Sequence, residues 1–470
     1  MVVFVYLHLP EYYPPSSTKP NIVNDASTIN ETKVSRIIQV RDSKDAIEGI
    51  HYAINNGLEI SVSGKKHTMG GHAFYPDAVL LDMSQFNKIH SLDSENRILI
   101  TQSGATWNDV QEYLNPHNLA VIAMQGPNIF TVGGSISVNA HGWDKFSEQV
   151  ASSVEWFNLA LVDGTLVRCS ENENPEMFRL AMGGFGLFGV ILDVGIRVTT
   201  NSVYKMEYEL MDYHEFPSYF QSTIRDNPAV ELTYADCSIA SSSLMEEMLV
   251  TSYIRIQESA NEIIPLIEEQ NIIRDRFFLN LSRKYDGGKT LRWFLQKQRN
   301  TTDEITRNNA MRSPFQRLIY FSSENTDILQ EYFIPVESFV EFTDSLRTII
   351  NRYEANLINC TIRYINKADN VTLNYAKSES FAFVLYFNVA KDSTGMENDK
   401  KLTRNLVDVA NMLGGTFYLL YLPHYDIDQI RMAYPEVDEF FEKKKYFDPD
   451  ERFKNKFYKN YGMPIFTELQ

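Results

Sequence analysis

Cysteine is scarce in this sequence, with three residues among 470. Cys169, Cys237 and Cys360 stand far apart along the chain, and no two of them have the CxxC spacing of a metal or redox motif. This spacing excludes a zinc or iron–sulfur framework and gives no sign of a disulfide scaffold. We therefore expect no metal site and a reducing, cytoplasmic setting.

Long hydrophobic runs are also missing. No stretch approaches the roughly 18 continuous apolar residues that a transmembrane helix requires. The first residues, MVVFVYLHLPEYYPP, are apolar but lack the basic start and the small-residue cleavage site of a signal peptide. The sequence therefore predicts neither a transmembrane segment nor a secretion signal.

Positive charge is in deficit, because 44 Lys and Arg residues face 61 Asp and Glu residues and leave a net charge of −17. Nucleic-acid backbones require clustered Lys and Arg, so a nucleic-acid partner is excluded. The 44% of hydrophobic residues is ordinary for a soluble globular protein. A chain of 470 residues is too long for one core, which predicts two or three domains.

Neither of two common nucleotide-binding motifs stands where it would mark a nucleotide site. No GxGxxG follows the first predicted strand, and no GxxxxGK[ST] occurs anywhere. Without them, a nicotinamide-binding Rossmann domain and a P-loop domain are both excluded as the leading interpretation.

Short strands and helices are mixed between residues 34 and 200. RIIQV, LEISVSG, AVLLDMS, RILITQSG and GVILDVGIRVT have the β-branched, apolar pattern of strands. DSKDAIEGIHYAINNG and TWNDVQEYLNPHN begin with Asp and Thr caps and predict amphipathic helices. VEWFNLALVDG and LVRCS predict a hairpin that turns at Asp163-Gly164. The mixture predicts an α+β fold.

The rest of the chain predicts a second sheet with an insertion. Strand patterns follow residue 203, a long helical, charge-dense stretch covers about 258–312, and strands and helices resume up to GGTFYLLYL. Residues after Tyr434 predict a helix and a loop that pack back on the first domain. Residues 1–32, rich in Pro, Ser, Asn and Thr, predict an extended lead-in. The predicted divisions are 1–203, 204–425 and 426–470.

Glycine is concentrated in three segments where predicted strands end, at 63–71, 125–142 and 182–189. Glycine allows backbone N–H groups to converge on one point, which suits a pyrophosphate, and small residues allow close approach to a flat cofactor. Each segment taken alone is explained equally well by turns. Their order within one α+β region favours a cofactor site.

These three segments resemble the FAD-binding domain of the vanillyl-alcohol oxidase/p-cresol methylhydroxylase flavoprotein family. The similarity is greatest to alditol and aldonolactone oxidases and to decaprenylphosphoryl-ribose oxidases. It runs from about Val34 to Thr200 and resumes in the C-terminal third, at EYFIP, GGTFYLLYLPHYD, MAYPEVDEF and FDPDERFKNKF. The resemblance implies a two-part FAD-binding domain of the p-cresol methylhydroxylase type, followed by a sheet-based substrate (cap) domain that carries the helical insertion.

The resemblance assigns cofactor residues by position. Segment 64–68 matches the pyrophosphate loop, and His67 stands where many members attach the flavin 8α-methyl covalently. The complete set of implied FAD-binding residues is Ser63, Gly64, Lys65, Lys66, His67, Thr68, Gly71, Gly126, Gly133, Gly134, Ser137, His141, Gly142, Gly189, Ile191 and Asn455.

The number of covalent bonds is limited by one departure from the family pattern. Doubly linked members have a cysteine where Ile129 stands, so at most one bond is implied. His72 competes with His67 for this bond, because Gly70-Gly71-His72 resembles the GGH of berberine-bridge-type members. We favour His67, since segment 64–68 keeps the length of the loop before the strand AVLLDM. The alternative is that His67 binds phosphate without a covalent bond.

Four candidate catalytic residues also come from the resemblance. Glu331 matches a polar residue over the flavin, and Arg363 matches a substrate-contacting arginine, although Thr361 stands where alditol oxidases have Glu. Tyr421 and His424 fall in the segment that carries a substrate-facing lysine in these relatives. That lysine is missing here, since alditol oxidases have it at the position of Ile427. A simple polyol is therefore in doubt, and a bulkier or less polar alcohol is favoured.

The resemblance implies an oxidase that moves hydride from an alcohol carbon to FAD and is reoxidised by O2 with release of H2O2. A dehydrogenase with another electron acceptor, or a flavin-binding protein without turnover, remains an alternative. The implied partners are a small-molecule substrate and O2. The sequence does not indicate an oligomeric state.

Overall fold

The computed structural model describes residues 20–147, 149–299, 302–313 and 315–468. Residues 1–19 of the expected lead-in lie outside the described residues. The helices are α1 Ser43–Asn55, α2 Trp107–Leu114, α3 Val132–Ser137, α4 Pro175–Ala181, α5 Phe216–Tyr219, α6 Ile272–Lys284, α7 Asp286–Gln296, α8 Arg307–Ala310, α9 Phe339–Arg352, α10 Ser393–Met412, α11 Ile427–Ala433, α12 Val437–Phe447 and α13 Met463–Glu468.

The strands make up four sheets. They are β1 Ile22–Val23, β2 Thr32–Lys33, β3 Arg36–Gln39, β4 Ile60–Ser63, β5 Val79–Asp82, β6 Ile89–Asp93, β7 Ile98–Gln102, β8 Leu119–Val121, β9 Val154–Ala160, β10 Leu166–Ser170, β11 Val190–Thr200, β12 Val203–Asp212, β13 Val230–Cys237, β14 Glu247–Gln257, β15 Thr302–Thr306, β16 Asn325–Pro335, β17 Leu357–Ile365, β18 Ser380–Ala390 and β19 Thr416–Phe417. Short 3₁₀ and π turns connect them at Met83–Gln85, Asn115–His117, Val150–Ser153, Phe220–Arg225, Gln316–Leu318, Val336–Ser338 and Tyr458–Gly462.

Residues 34–200, the region that the resemblance makes the expected FAD-binding region, have two parts. The first is a parallel sheet in the order β3-β5-β4, covered by α1. Asp42 begins α1 by accepting a hydrogen bond from the Asp45 amide at 2.9 Å, and Ala46, Ile50 and Ala53 are buried against the sheet. The second part is an antiparallel sheet in the order β10-β9-β11-β7-β6, with β8 on β11. This arrangement agrees with the expected α+β fold.

A larger antiparallel sheet follows, in the order β15-β12-β14-β13-β17-β18-β16-β19. Helices α9 and α10 cover one of its faces. On β16, Gln330 and Tyr332 point toward these helices, while Leu329 and Glu331 point to the opposite face and line a cleft. Alternation along β16 therefore separates the core of the sheet from the cleft.

Part of the C-terminal segment lies beside the first sheet. The Lys454 amide donates to the Ile60 carbonyl at 2.8 Å, and the Ile60 amide donates to the Arg452 carbonyl at 2.7 Å. This bonding places residues 452–454 beside β4, which leads directly to segment 64–68. The end of the chain thus braces the strand that carries the first glycine segment.

Two predictions of secondary structure were wrong. The helical stretch expected at about 258–312 contains α6 and α7, but residues 258–271 form no helix and 302–306 form β15. GGTFYLLYL, which was expected to be a strand, contributes only the two residues of β19 to the sheet. The chain then leaves the sheet in a turn. In both places tertiary contacts override the local pattern; residues 258–271, for example, bond to Asn115 and Asn309 through the Ile264 carbonyl and the Ile267 amide.

The cysteines are closer in space than in sequence. The register that pairs Asp236 with Thr361 sets Cys237 opposite Cys360 on the neighbouring strand. Cys169, Cys237 and Cys360 are all buried and free. Among the described residues no cluster of His, Cys, Asp and Glu is arranged to hold a metal ion, and no helix within that part of the chain has the length and apolarity to cross a membrane.

Candidate cofactor and active site

A cleft with about 1220 Å³ of empty space lies between the FAD-binding region and the cleft-facing side of the larger sheet. Most of the residues singled out from the sequence line it. They are Ser63, Gly64, Lys65, Lys66, His67, Thr68, Gly133, Gly134, Ser137, His141, Gly189, Ile191, Glu331, Arg363 and Tyr421.

Four expected cofactor residues lie outside the cleft wall. Gly71 donates its amide to Asp25 at 2.9 Å, and Gly126 packs on Trp143. Gly142 approaches the backbone of Met124 so closely that a Cβ would meet its carbonyl oxygen at 2.3 Å. Asn455 donates to the Phe185 carbonyl at 2.8 Å and accepts from the Tyr458 amide. The three glycines therefore serve the packing of the backbone, and Asn455 attaches the C-terminal tail to the Phe185 carbonyl.

His424 is also outside the cleft wall. Its Nε2 lies 3.2 Å from Asp399 Oδ2, but the angles do not make a hydrogen bond, and both atoms lack a hydrogen-bond partner within the described structure. Its carbonyl accepts from Arg404 at 2.8 Å. His424 therefore lies behind the sheet, next to Asp399, and outside the cleft.

Three buried hydroxyl groups line the cleft, one at the end of β4, one in the loop that follows it and one just after β7. Ser63 Oγ, Thr68 Oγ1 and Ser103 Oγ are all buried and have no hydrogen-bond partner among the described residues. A buried polar atom without a partner is costly, so such atoms mark the place of a polar ligand. The three hydroxyls therefore fit an oxygen-rich group such as a pyrophosphate.

Glycine at position 64 is required by close packing. A Cβ there would meet Thr131 Oγ1 at 2.2 Å, and one at Gly133 would meet the Ser103 side chain at 2.6 Å. The Thr131 hydroxyl caps α3 by accepting from the Gly134 amide at 3.3 Å. The first and second glycine segments thus touch each other and form one surface of the cleft.

The two lysines of this loop have different roles. Lys66 Nζ lies 2.7 Å from Asp82 Oδ2, and its backbone has a positive φ of 61°. Its charge is therefore balanced by the end of β5. Lys65 is exposed at the margin of the cleft, where its ammonium group is available to an anionic ligand.

His67 is held between two phenylalanine rings. Phe130 lies edge-on at 4.8 Å between ring centroids, and Phe315 does so at 5.4 Å. Burial, with a smaller contribution from the charges of Lys65 and Lys66, lowers the pKa of His67 to about 4. The imidazole is consequently neutral at physiological pH, which is the form that acts as a nucleophile.

His72, the competing histidine, also lines the cleft but is more enclosed. Its Nε2 lies 2.7 Å from the Leu419 carbonyl, so Nε2 carries the proton. The ring stacks near Phe185 and Phe457 at 5.1 and 5.6 Å. Its Nδ1 faces Gly70, where a Cβ would come within 2.9 Å. Nδ1 is buried and has no hydrogen-bond partner among the described residues.

A buried acid–base pair joins the two sides of the cleft. His141 Nε2 lies 2.6 Å from Glu331 Oε1, and the two side chains are 3% and 2% exposed. The hydroxyl of Tyr421 donates to the other carboxylate oxygen at 3.3 Å. His141 follows α3, whereas Glu331 is in the middle of β16, so the pair exists only when both regions meet.

Tyr421 and Arg363 complete this side of the cleft. Burial raises the pKa of Tyr421 and the Glu331 charge raises it further, while Arg363 opposes them, so the phenol stays protonated. The Arg363 guanidinium lies 5.6 Å from the centre of the Trp143 ring. Both side chains lie at the sheet end of the cleft, beside Glu331.

Several cleft residues have no signal in the sequence that identifies them. Phe130 and Tyr418 look like ordinary core aromatics, as does Phe315, which contacts His67, and Ser103 looks like a strand-end residue. The Gly104 that follows Ser103 is the one local cue, because a Cβ there would meet the Met83 carbonyl at 1.9 Å. The positions of the aromatics depend on the packing of distant segments.

A sequence comparison identifies the first part of the chain. Residues 34–170 match the family model described as an FAD binding domain. Relatives include an FAD-dependent monooxygenase of Arthrobotrys oligospora, 29% identical over 37% of this chain and 33% of its own. L-gulonolactone oxidase of Mus musculus is 26% identical over 38% of each chain.

Decaprenylphosphoryl-β-D-ribose oxidase of Mycolicibacterium smegmatis is 27% identical over 39% of this chain and 38% of its own. The chain belongs to the vanillyl-alcohol oxidase/p-cresol methylhydroxylase family of FAD-binding oxidoreductases. It spans about a third to two fifths of the length of the relatives just named. The family expected from the glycine segments is thereby confirmed.

The cleft fits the cofactor of this family. The three hydroxyls without partners at Ser63, Thr68 and Ser103 suit a pyrophosphate, and the apolar side chains of Met83, Phe130 and Ile191 suit a flat ring system. A site that combines a few polar groups with apolar walls is typical for large cofactors. The residues present are therefore compatible with FAD.

Proposed function

We propose that this protein is an FAD-dependent oxidase that removes hydride from an alcohol carbon and uses O2 as the electron acceptor. The observation that carries the proposal is the buried pair of His141 and Glu331, because it sets a carboxylate inside the cofactor cleft beside Tyr421 and Arg363. Oxidation of an alcohol releases a proton together with the hydride, so such a site needs a proton acceptor.

The cofactor would be held mainly by segment 64–68 and by the α3 region. The hydroxyls of Ser63, Thr68 and Ser103 would bind its pyrophosphate, and His67 would carry one covalent bond to the flavin ring. Bound FAD supplies the hydride acceptor, and its reoxidation by O2 gives H2O2. Ile129 provides no thiol for a second bond.

Glu331 is the residue that takes the proton in this proposal. His141 Nε2–H bonds Oε1 and fixes the carboxylate, while Oε2 has only the long 3.3 Å contact with Tyr421. A substrate hydroxyl near Oε2 can therefore donate its proton to Glu331. The carboxylate is enclosed, so water has little access to this position.

Tyr421 and Arg363 orient the substrate in this proposal. The protonated phenol of Tyr421 donates a hydrogen bond, and Arg363 offers charge-assisted donors at the sheet end of the cleft. The aromatic side chains of Phe130 and Tyr418 leave a wall that is less polar than a polyol requires. We therefore propose a bulky or moderately apolar alcohol as substrate class.

Anaerobic reduction of the bound flavin by a panel of alcohols tests the proposal. We expect the yellow spectrum to bleach rapidly with aromatic or long-chain alcohols and slowly with short polyols, and to return in air with release of one H2O2 per turnover. Bleaching without H2O2 release, together with fast dye reduction, would establish the dehydrogenase alternative. A flavin that no alcohol reduces would establish a binding protein without turnover.

The compartment is part of the same proposal. Cys237 and Cys360 face each other on neighbouring strands and are nevertheless free thiols. Free paired thiols are favoured in a reducing compartment, which supports a cytoplasmic setting.

A further inference from the structure

The charges that line the cleft are positive on balance. Among the described residues of its wall, Lys65, Lys66 and Arg363 are cations and Glu331 is the one acid. The chain as a whole carries a net charge of −17, so the cleft has the opposite sign to the rest of the protein. A concave site lined by one sign of charge concentrates ligands of the opposite sign. Each unpaired cation in the cleft therefore indicates where an anionic group of a ligand would lie.

The two lysines belong to the part of the cleft that suits the cofactor. Lys66 is paired with Asp82 at 2.7 Å, and Lys65 stands in the loop that would hold the pyrophosphate. Arg363 lies apart from this loop, at the sheet end of the cleft beside Glu331. The cofactor phosphates therefore do not account for the charge of Arg363.

The guanidinium group of Arg363 has no anionic partner inside the protein. It makes no hydrogen bond or ion pair with any residue in the described ranges, and its Cζ lies 5.6 Å from the centre of the Trp143 ring. Trp143 offers no acceptor, because its indole N–H is itself buried without a partner there. Arginine stays protonated in proteins. A partly buried cation is thus left without an anion, which is unfavourable until a ligand supplies one.

Three acids on the neighbouring strands and loop have partners of their own. The pairs are Glu331 with His141, Asp236 with Arg299, and Asp144 with Arg307. Asp236 lies opposite Thr361 on β13, and Asp144 follows Trp143 in the chain. These acids are therefore already engaged and do not neutralise Arg363.

The register of the sheet sets the separation of Arg363 and Glu331. Val384 pairs with Glu331 on one side and with Thr361 on the other, and Arg363 follows Thr361 by two residues on the same face. Two strand spacings across the sheet and two residues along β17 put the Cα atoms of Arg363 and Glu331 roughly 12 Å apart. A substrate that reaches both side chains must have its two polar groups several atoms apart.

We propose that the substrate of this cleft is an aromatic or long-chain hydroxy acid whose carboxylate binds Arg363 while its alcohol group faces Glu331. The proposal rests on the oxidase function proposed above and adds a charged end to the apolar substrate. A guanidinium group binds a carboxylate through two parallel hydrogen bonds, and one positive charge balances one negative charge. A phosphate dianion would leave one charge unbalanced. The overall reaction, R–CH2OH + O2 → R–CHO + H2O2, leaves the carboxylate unchanged.

Anaerobic flavin reduction by two alcohols with the same ring tests the proposal. We expect para-hydroxymethylbenzoate to reduce the flavin about tenfold to a hundredfold more efficiently than benzyl alcohol, which lacks the carboxylate. High salt should reduce this preference. Arg363→Met should abolish it, and Arg363→Lys should keep part of it, because lysine keeps the charge but not the planar fork. The matched control is Arg352→Met, which alters an exposed arginine at the end of α9 and should keep the full preference.

Binding of para-methylbenzoate, which has no alcohol group, gives a measurement that does not depend on turnover. We expect its Kd, measured from the change in flavin absorbance, to rise about tenfold to a hundredfold in Arg363→Met and to stay the same in Arg352→Met. Flavin content and melting temperature report folding, and Arg363→Gln replaces a Met variant that fails to fold.

The outcomes separate this proposal from the oxidase function. Equal reduction by the acid and the neutral alcohol, or an unchanged Kd in Arg363→Met, would overturn the carboxylate site and leave the oxidase intact. Binding of para-methylbenzoate that depends on Arg363, without flavin reduction by any alcohol, would keep the carboxylate site but overturn both the oxidase and the hydroxy acid as its substrate.

Discussion

The imidazole Nε2 of His141 lies 2.6 Å from the carboxylate Oε1 of Glu331, and both side chains are almost completely buried. The pair connects the glycine-rich segment after α3 with the middle of β16. Its position between cofactor and sheet makes it the most direct target for mutation.

Glu331→Gln keeps the size of the side chain but removes its capacity to accept a proton. We expect the rate of flavin reduction by substrate to fall about 10²-fold or more, the usual contribution of a general base, with unchanged flavin content. Stopped-flow reduction measures this rate. Glu337→Gln, an exposed site just after β16, is the control, and a Glu331→Gln protein with the original rate would exclude Glu331 as the base.

His67→Ala is expected to abolish the covalent bond to flavin. His67 is neutral and faces the cleft between Phe130 and Phe315, whereas His72 Nδ1 is packed against Gly70. Acid precipitation followed by spectroscopy of the pellet measures retention. Yellow pellets from the unmodified protein and from His72→Ala, with a colourless pellet from His67→Ala, are the expected pattern. The opposite pattern in the two variants would assign the bond to His72.

Asp144→Asn should destabilise the protein strongly. The pair Asp144–Arg307 is buried, with side chains 6% and 3% exposed, and Arg307 also donates to the Val121 carbonyl at 3.0 Å. Burial alone would lower the pKa of Arg307, but the charge of Asp144 raises it overall. Because an arginine stays protonated in proteins, Asp144→Asn leaves a buried cation whose remaining carboxylate partner, Glu231, is 3.5 Å away. Breaking a buried pair costs about 3–5 kcal/mol.

Denaturation in urea measures this loss. The control is Glu155→Gln, which breaks the exposed pair of Glu155 and Arg197, 36% and 50% exposed. An exposed pair contributes about 0–1 kcal/mol. Equal effects of the two substitutions would show that Arg307 finds another partner.

Acid should weaken the fold through its buried histidines. Burial lowers the pKa of His67 and of His72 from 6.5 to about 4. Between these values the unfolded chain binds more protons than the folded one. The histidines' contribution to the free energy of unfolding is therefore complete above pH 6.5 and decreases as the pH drops toward 4. Each histidine contributes at most about 1.4 kcal/mol per pH unit in this window.

The melting temperature as a function of pH checks this prediction. His72→Gln should reduce the slope below pH 6.5, and the exposed His117→Gln should leave it unchanged. A slope that is the same in all three proteins would mean that groups other than His72 govern acid unfolding.

Local sequence was sufficient for the regular elements of the FAD-binding region. The Asp42 cap, the Thr106 capping box and the turn at Asp163-Gly164 all form where the sequence predicts them, because each depends on residues within a few positions. The insertion was predicted poorly. Residues 258–271 carry a helical pattern but form no helix, and α7 has its apolar residues outside, so periodicity alone assigns the wrong face.

Only part of the candidate site was predicted from the sequence, because only part of it depends on residues that are close together along the chain. Segments 64–68 and 133–137 reach the cleft because the glycines and small residues that shape it are local. Asn455 and His424 match a family pattern but serve other contacts in this chain, and no local pattern places Phe315 beside His67. Such contacts depend on how the insertion packs, which is not encoded in any short segment.

The sequence by itself determined the cofactor family, the α+β fold and the loop that carries His67, since these follow from short motifs and from periodicity. Only the tertiary structure decided that His141 and Glu331, separated by 190 positions, form one buried pair, and that the ring of His67 is neutral between two phenylalanines. The physical reason is that pairing and desolvation depend on distance in space. Neither quantity can be derived from the spacing of residues along the chain.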